Sequence, residues 1–451
     1  MELGSWGTTV DMTDFATLAR EGDLRSLREA LCEYDVPGIV DELERLDDFS
    51  RAVAFRALPK DLALEVFEDL DPPLQRELID ELREEGVSDL VLGLDPDDRA
   101  SLVDELPAGV ASRLLSGLTA KERVMTMTLL GYPPESAGRR MTPEVVHVLA
   151  GVTVGEAMEQ VRRQEPEAET IYVIPVVGPG REVRGVVSLR RLLVTGDDVP
   201  VTEVMSEPIT VAATEDQEAA ARIVRDHGLV AVPVVDAEGR LLGVFTVDDA
   251  MRVLEAEESE DIARAGATEP LRRPYLTTTV MEIVRSRIVW LLVLIAAATL
   301  TVNVLDYFED TLSAVVALAL FVPLLIGTAG NTGAQAATTV VRAMAVGDVR
   351  FAELPRVVGR EALVGVLLGA SLACVGFIPA SLVAGSDIAI VLALALIVVC
   401  TLATTAGAFT PMIAKRIGLD PAVVSAPFIT TFVDATGLVV YFLIARAVLG
   451  L

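Results

Sequence analysis

Five apolar segments fill the second half of this 451-residue chain, and each is long enough to cross a lipid bilayer as a helix. A hydrocarbon core of about 30 Å takes about 20 residues at a helical rise of about 1.5 Å per residue. These segments therefore predict an α-helical transmembrane domain of five helices. The predicted spans cover residues 288–305, 312–341, 362–384, 388–413 and 422–449.

The charges in the connecting loops predict the orientation. Basic residues precede the first span and occupy the second and fourth loops, whereas acidic residues occupy the first and third. Cytoplasmic loops carry an excess of Lys and Arg. We therefore predict a multi-pass protein of the cell (inner) membrane, with the region before the first span in the cytoplasm and the C-terminus outside. Arg446, near the outer end of the last span, is expected to snorkel to the interface.

One carboxylate, Asp434, lies near the middle of the last span. A charge at that depth costs at least about 2.5 kcal/mol on insertion scales, so its side chain should face protein or a water-filled path. Intramembrane acids are typical of ion or proton sites. The alternative is a structural Asp434 that bonds to nearby hydroxyls, such as those of Thr430, Thr431 or Thr436.

The second span contains FVPLLIGTAGNTGAQAATT, residues 321–339, which is rich in small and polar residues. Its Pro and Gly residues are expected to loosen helix packing or to unwind the helix, which a membrane tolerates where the backbone faces protein or water. The alternative is a packing face of small residues. With Asp434, the amide of Asn331 and nearby hydroxyls supply the oxygen ligands that a hard cation needs.

The region before the membrane is strongly acidic. Of the chain's 66 acidic residues 57 precede Ser286, against 29 of its 37 basic residues. Such a field repels nucleic acid and attracts divalent cations, so we expect no nucleic-acid partner. The alternative is that the charge only keeps this region soluble.

Leucine recurs every 12 residues between positions 46 and 118, and most of these leucines precede a helix-start signal such as LDPP or LTAKE. Asp or Thr as N-cap and Pro in the first turn explain the pattern. Each repeat therefore predicts one short helix and a turn. Such helices bury their apolar faces only by stacking, which predicts an all-α superhelical domain.

The pattern then changes to a tandem α/β unit. IPVV at 174–177 matches VPVV at 232–235, and GVVSLRRLL at 185 matches GVFTVDDAM at 243, each 58 residues apart. This unit resembles a pair of CBS domains, which implies a cleft for an adenosine nucleotide such as ATP. The resemblance implicates Ser188, Thr246 and Asp249 in nucleotide binding. Arg191 stands where the first repeat would need an acid, so one site or none is expected.

The second repeat continues into an acidic helix, predicted over residues 247–267. Like charges three or four residues apart destabilise an isolated helix, so this one should prefer bound cations or basic neighbours. The alternative is a solvated acidic linker.

In this order, the repeats, YPPESAGRRM, the paired CBS units, the acidic helix and the five spans resemble the MgtE family of magnesium channels or transporters. GNTGAQ at 330–335 and LDPAVVSAPFITTFVDATG at 419–437 are similar to its pore segments. The resemblance implies a homodimer whose pore conducts Mg²⁺ inward and closes when cytosolic Mg²⁺ binds the acidic domains. It implies pore ligands at Asp434, Thr430 and Asn331. The implied sensor ligands are Asp97, Asp98, Asp216, Glu218, Asp249, Glu257, Glu260 and Asp261.

Two positions depart from the family pattern, since Arg252 and Gly228 stand where an acid is common. The expected domains cover residues 1–135 (helical repeats), 136–198 and 199–255 (the CBS pair), 256–285 (acidic plug helix and linker) and 286–451 (pore). Alternative functions are a coupled divalent-cation carrier and a non-conducting, membrane-anchored Mg²⁺ or nucleotide sensor. An enzyme is not expected, because the chain's two histidines, His147 and His227, lie in no nucleophile or metal motif.

Overall fold

The computed structural model of the chain describes residues 13–82, 90–164, 168–271, 273–275, 277–418 and 426–451. These divide into two compact units, Met1–Glu257 with Arg272–Thr278 and Glu258–Leu271 with Thr279–Leu451. Each unit has its own hydrophobic cores. The expected multidomain architecture, with a helical N-terminal part, an α/β pair and five long apolar helices, is confirmed.

Short helices begin the first unit, as the leucine repeat predicts. The repeated leucines directly follow the helices, and most of them are buried in one core. The helices are α1 (Thr13–Glu21), α2 (Leu24–Leu31), α3 (Val36–Arg45), α4 (Asp48–Ala57), α5 (Lys60–Asp69), α6 (Pro72–Glu81), α7 (Pro96–Glu105), α8 (Ala108–Gly117) and α9 (Ala120–Leu130).

Buried polar side chains tie these helices together in a way that the leucine pattern does not predict. Arg51, Gln75 and Arg99 are 24 residues apart, and each donates to the carbonyl eight residues earlier, at 3.0, 2.6 and 2.9 Å. Both arginines also donate to the carbonyl of the repeated leucine that ends the preceding helix. The last carbonyls of a helix have no partner within it, so these side chains cap every second repeat.

The tandem α/β unit forms two three-stranded sheets with identical topology. In the first, β2 (Val173–Val177) pairs in parallel with β1 (Val148–Leu149) and antiparallel with β3 (Val183–Ser188). In the second, β4 (Val211–Ala212), β5 (Ala231–Val235) and β6 (Leu241–Thr246) repeat this arrangement, and every antiparallel pairing is shifted by 58 residues. The helices are α10 (Val154–Gln164), α11 (Leu189–Val194), α12 (Val201–Val204) and α13 (Gln217–His227).

The acidic helix α14 (Val247–Ala265) starts directly after β6. It runs without a break across the expected domain boundary at 255 and ends two residues before the predicted 267. The first membrane helix, α15 (Val280–Tyr307), begins earlier than expected because Thr279 and Glu282 form a capping box.

The remaining membrane region is helical. It contains α16 (Glu309–Ala314), a 3₁₀ turn (Val316–Phe321), α17 (Val322–Ala345), α18 (Leu354–Ala384), α19 (Ser386–Arg416) and α20 (Ala426–Leu449). Of the five spans α19 is the most buried, with 56% of its most apolar window inside, whereas α15 has none of that window buried. The first span thus leaves most of its apolar surface for lipid or another chain, although Val304 and Leu305 pack against the core of this unit.

Close packing of small residues joins α17, α18 and α19. A Cβ at Gly407 of α19 would lie only 2.4 Å from the Gly333 carbonyl oxygen of α17, and one at Gly365 would lie 2.5 Å from the Cα of Thr401. Helix α17 is continuous through its glycines, so the expected unwinding is wrong. The packing face of small residues, which sequence reasoning kept as the alternative, is what the helices form.

Arg446 contacts residues between the first and second predicted spans. Its Nε donates to Thr311 at 2.8 Å, and its guanidinium lies 4.7 Å from the centre of the Phe308 ring. This ring stacks on Phe442 of α20. A hydroxyl acceptor and an aromatic face thus hold the guanidinium near the end of α20, and its snorkelling to the interface stays a prediction.

Candidate functional site

A cluster of carboxylates lies where α7 meets α14 within the first unit. The carboxylate oxygens of Asp97, Asp98 and Asp249 all lie within 4.8 Å of one another. The LDPDD signal places the first two in the opening turn of α7, and the β6–α14 junction places Asp249 in the opening turn of α14. Thr246 at the end of β6 donates to Asp249 at 2.6 Å and orients it.

Asp97 is the most enclosed member of this cluster. Only 5% of the residue is exposed, and its buried Oδ1 has no hydrogen-bond partner in the described part of the chain. A buried ionised carboxylate oxygen without a partner is costly. Either a proton or a bound cation can remove this cost at Asp97.

The pKa values of the cluster reflect this crowding. Burial, and then the charge of Asp249, raise the pKa of Asp98 to about 7 and that of Asp97 well above its ordinary value. Burial also raises the pKa of Asp249 to about 6, even though its bond from Thr246 opposes the change. Carboxylates that hold protons this strongly when empty are good ligands for a divalent cation, which relieves the same repulsion.

Sequence reasoning missed several members of this acidic region. Glu169, Asp248 and Asp249 form a second group with oxygens within 4.8 Å of one another. Loss of hydration, and then the charge of Asp249, raise the pKa of Glu169 to about 8, and burial raises that of Glu68 to about 7. The VDD sequence could have pointed to Asp248. Glu169 and Glu68 carry no local signal, because only the tertiary fold brings them here.

The other predicted sensor acids lie outside both groups. Asp216 caps α13 by accepting from the backbone amides of Glu218 and Ala219, at 3.0 and 3.1 Å. Glu218 pairs with Arg222 one turn later. Glu257 accepts a hydrogen bond from Gln217 at 2.9 Å.

The last two predicted sensor acids lie on the part of α14 that belongs to the second unit. Glu260 pairs with Arg264 of the same helix, and Asp261 also has interaction partners. The predicted sensor set therefore divides into one close cluster and several separately bonded acids.

The predicted nucleotide residues already have structural partners. Ser188 caps α11 by accepting from the amide of Arg191 at 3.2 Å. Thr246 bonds to Asp249, whose carboxylate belongs to the acidic cluster. A negatively charged phosphate would be repelled near these acids where they are ionised, and the Thr246 side chain is itself buried.

In the membrane, Asp434 faces a gap between two helices. A Cβ at Gly330 of α17 would lie 3.3 Å from the Thr430 side chain and 3.4 Å from Oδ1 of Asp434. The absence of a side chain at Gly330 thus gives room to the Asp434 carboxylate. Its Oδ1 is buried and makes no hydrogen bond within the described residues.

The nearby hydroxyls do not satisfy Asp434. Thr430 and Thr431 both donate to the Pro427 carbonyl, at 2.8 and 2.9 Å, and Thr436 donates to that of Phe432 at 2.9 Å. The structural alternative for Asp434 is therefore wrong, because each hydroxyl is used by its own helix. Asn331 lies next to Gly330 on α17 and is exposed within the single chain.

Comparison with known proteins decides the family. A magnesium transporter MgtE of Thermus thermophilus is 38% identical over 443 residues, which cover 95% of this chain and 96% of the relative. One from Enterococcus faecalis is 35% identical over 70% of both chains. This chain belongs to the MgtE family. The relatives are named as transporters, which agrees with the expectation that the chain is not an enzyme.

The MgtE family assignment covers both candidate sites. A divalent cation transporter profile matches residues 322–444, an MgtE intracellular N domain matches 34–135, and CBS domains match 137–195 and 201–256. The solved structure of the cytosolic domain of the Mg²⁺ channel MgtE in complex with ATP matches 54% of this chain and all of its own, with 35% identity and a TM-score of 0.50. The protein is thus a membrane transporter with five candidate spans and an N-terminal soluble region.

Proposed function

We propose that this protein is a magnesium channel that admits Mg²⁺ through a dimeric pore and closes when cytosolic Mg²⁺ binds its acidic domains. The observation that carries the proposal is the Asp434 carboxylate within the last span, one oxygen of which is buried and has no bond from the described residues. A carboxylate kept without a partner inside a membrane is expected at an ion path. The MgtE relatives supply Mg²⁺ as the substrate.

The chemistry of Asp434 favours a paired site. Mg²⁺ holds its water shell tightly and binds proteins through one or two carboxylates with several waters kept. One Asp434 from each of two chains would supply such a pair. Thr430 contacts the same Gly330 position as Asp434. Asn331, the next residue on α17, is exposed in the single chain and would face the path or the second copy. We assign the pore ligands to Asp434, Thr430 and Asn331 on this basis.

A homodimer in the membrane also suits the outer surfaces of the spans. Most of the apolar surface of α15 is left uncovered in the single chain, although Val304 and Leu305 pack against the core, and lipid or another chain can cover the rest. The basic loop between α17 and α18 should lie in the cytoplasm with the N-terminal domains. The C-terminus then lies outside, and the membrane potential drives Mg²⁺ inward.

The acidic cluster is the proposed sensor. When cytosolic Mg²⁺ is high, ions would bind Asp97, Asp98 and Asp249 and hold α7 against α14; when it is low, repulsion would separate them. Helix α14 is continuous from this cluster into the second unit, so a movement of its first turn can reach the membrane region. Weaker contributions are assigned to Asp216, Glu218, Glu257, Glu260 and Asp261.

The domain limits remain a proposal, at 135/136, 198/199, 255/256 and 285/286.

A nucleotide is a further candidate ligand of the CBS pair, with Ser188, Thr246 and Asp249 as its contacts. The support is the related cytosolic domain solved with ATP.

Two other functions are distinguished by flux. A coupled carrier would require a sodium or proton gradient, and a non-conducting sensor would pass no Mg²⁺ at all. The unpaired Asp434 favours conduction over the sensor, because an anchor needs no such residue.

The test is Mg²⁺ uptake by liposomes that contain Asp434→Ala, with the dimer verified by size-exclusion chromatography. We expect uptake to be lost, because the site loses both carboxylates. The control is Asp387→Ala, which removes an acid in the first turn of α19, at the end of a span, and should preserve uptake. Uptake by a folded Asp434→Ala dimer would refute the pore assignment.

A further inference from the structure

Arg252 lies among carboxylates of three different helices. It stands on α14, one turn after Asp249. Its guanidinium nitrogens lie 2.8 Å from Asp69 at the end of α5, 3.7 Å from Asp98 of α7 and 3.9 Å from Asp249. An arginine that bridges separate elements acts on tertiary structure, unlike the surface pairs within one helix.

The charge of Arg252 is placed where the acidic cluster needs one. Three carboxylates converge within 4.8 Å, and one of them, Asp97, has a buried oxygen without a bond among the described residues. Although burial opposes it, the charges of Asp98, Asp249 and Asp69 raise the pKa of Arg252. The guanidinium therefore stays protonated at every physiological pH.

Arg252 leaves part of the cluster open. It borders a cavity of about 190 Å³ that Asp98, Asp249 and Arg140 also line. The guanidinium contacts Asp98 and Asp249 from this side, while no such contact reaches the bond-free oxygen of Asp97 within the described residues. A fixed positive charge and a separate ion can therefore share the same set of acids.

We propose that Arg252 is a resident cation of this cluster, which offsets part of the repulsion that separates α7 from α14 when free Mg²⁺ is low and so reduces the number of ions needed to complete the assembly. This inference rests on the proposed Mg²⁺ response of the first unit and deepens it. A charge supplied by the chain does not vary with Mg²⁺ concentration. A fraction of the protein should therefore have α5, α7 and α14 assembled without Mg²⁺. The assembled fraction should then rise less steeply with Mg²⁺ concentration.

The test is hydrogen–deuterium exchange of the full chain in lipid nanodiscs, followed on peptides from α5, α7 and the first half of α14. In a chelator, Arg252→Gln should exchange about fivefold to tenfold faster than the natural protein in these peptides, because three ion pairs are lost. Saturating Mg²⁺ should restore protection in the variant, with a steeper dependence on its concentration. Arg252→Lys, which keeps the charge, should retain most of the protection without Mg²⁺.

The matched control is Arg225→Gln, which removes the same charge from an exposed pair with Asp226 and should leave these peptides unchanged. Equal exchange of Arg252→Gln and the natural protein in chelator would overturn the proposal. So would an Arg252→Lys protein as loose as Arg252→Gln, since packing and not charge would then matter. If Arg252→Gln is loose in chelator but Mg²⁺ protects neither protein, the resident cation stands and the proposed Mg²⁺ sensing fails.

Discussion

Replacement of Asp98 by asparagine should stabilise the metal-free protein. Its carboxylate has a pKa of about 7 where an ordinary Asp has 3.8. Because one pKa unit corresponds to about 1.4 kcal/mol, ionisation in the assembled cluster costs about 4 kcal/mol. About a quarter of the Asp98 side chain (25%) is exposed, and solvent screens its charge there. We therefore expect Asp98→Asn to raise the free energy of unfolding by about 3 kcal/mol at pH 8.

The pH dependence fixes the sign of this effect. A raised pKa means that the folded protein binds a proton more tightly than the unfolded chain, so stability is present at low pH and is lost as the pH rises towards 7. The asparagine side chain of the variant cannot ionise, so the variant loses nothing at this position. The advantage of Asp98→Asn should therefore fall from about 3 kcal/mol at pH 8 to less than about 1 kcal/mol at pH 4.

Scanning calorimetry of the full chain in detergent and chelator measures the difference. The transition of the first unit should rise by about 6 °C or more at pH 8 in the variant. In Mg²⁺ the natural protein should become more stable than the variant, because it keeps the Asp98 carboxylate that binds the ion. Asp226→Asn, an exposed acid, is the control. A variant no more stable than the natural protein at pH 8 in chelator would refute the account of the cluster.

Two further substitutions test the fold and the pore. Arg51→Ala should lower the free energy of unfolding by about 3–5 kcal/mol, because the buried arginine caps the preceding helix and pairs with Glu77. The control is Arg25→Ala, which removes an exposed ion pair and should change the free energy of unfolding by less than about 1 kcal/mol in the same calorimetry. Gly330→Val should reduce Mg²⁺ flux at least about tenfold, since its side chain meets Thr430 and Asp434, whereas Gly327→Val enters open space and should conduct. Equal flux from both glycine variants would contradict the proposed path.

Local signals carry the parts of the structure that were predicted correctly. Most of the repeated leucines are followed by a cap or Pro signal, so the turn at Leu70 is determined by its own neighbours. The 58-residue repeat determines the paired strands in the same way, down to the bulges after Val176 and Val234. Asp434 is predictable because a single charge in an apolar span has few tolerable places.

The rest depends on contacts between distant segments. Glu169 joins the acidic cluster only because the first α/β repeat lies beside the start of α14. Helix α17 stays continuous because Gly407 and Thr430 of neighbouring helices fit against its glycines, and glycine content alone does not say which neighbours are present. The partners of Arg446 were not predictable for the same reason, since Phe308 and Thr311 are brought to it by the fold.

The most direct test of the proposed function is single-channel current through the reconstituted protein, with Mg²⁺ as the only permeant cation. Its concentration on the side of the N-terminal domains is stepped from micromolar to ten millimolar. We predict discrete currents that close as this concentration rises and that are absent in Asp434→Ala. Absence of current from verified natural protein would contradict the channel, and currents that ignore Mg²⁺ on this side would contradict the acidic sensor.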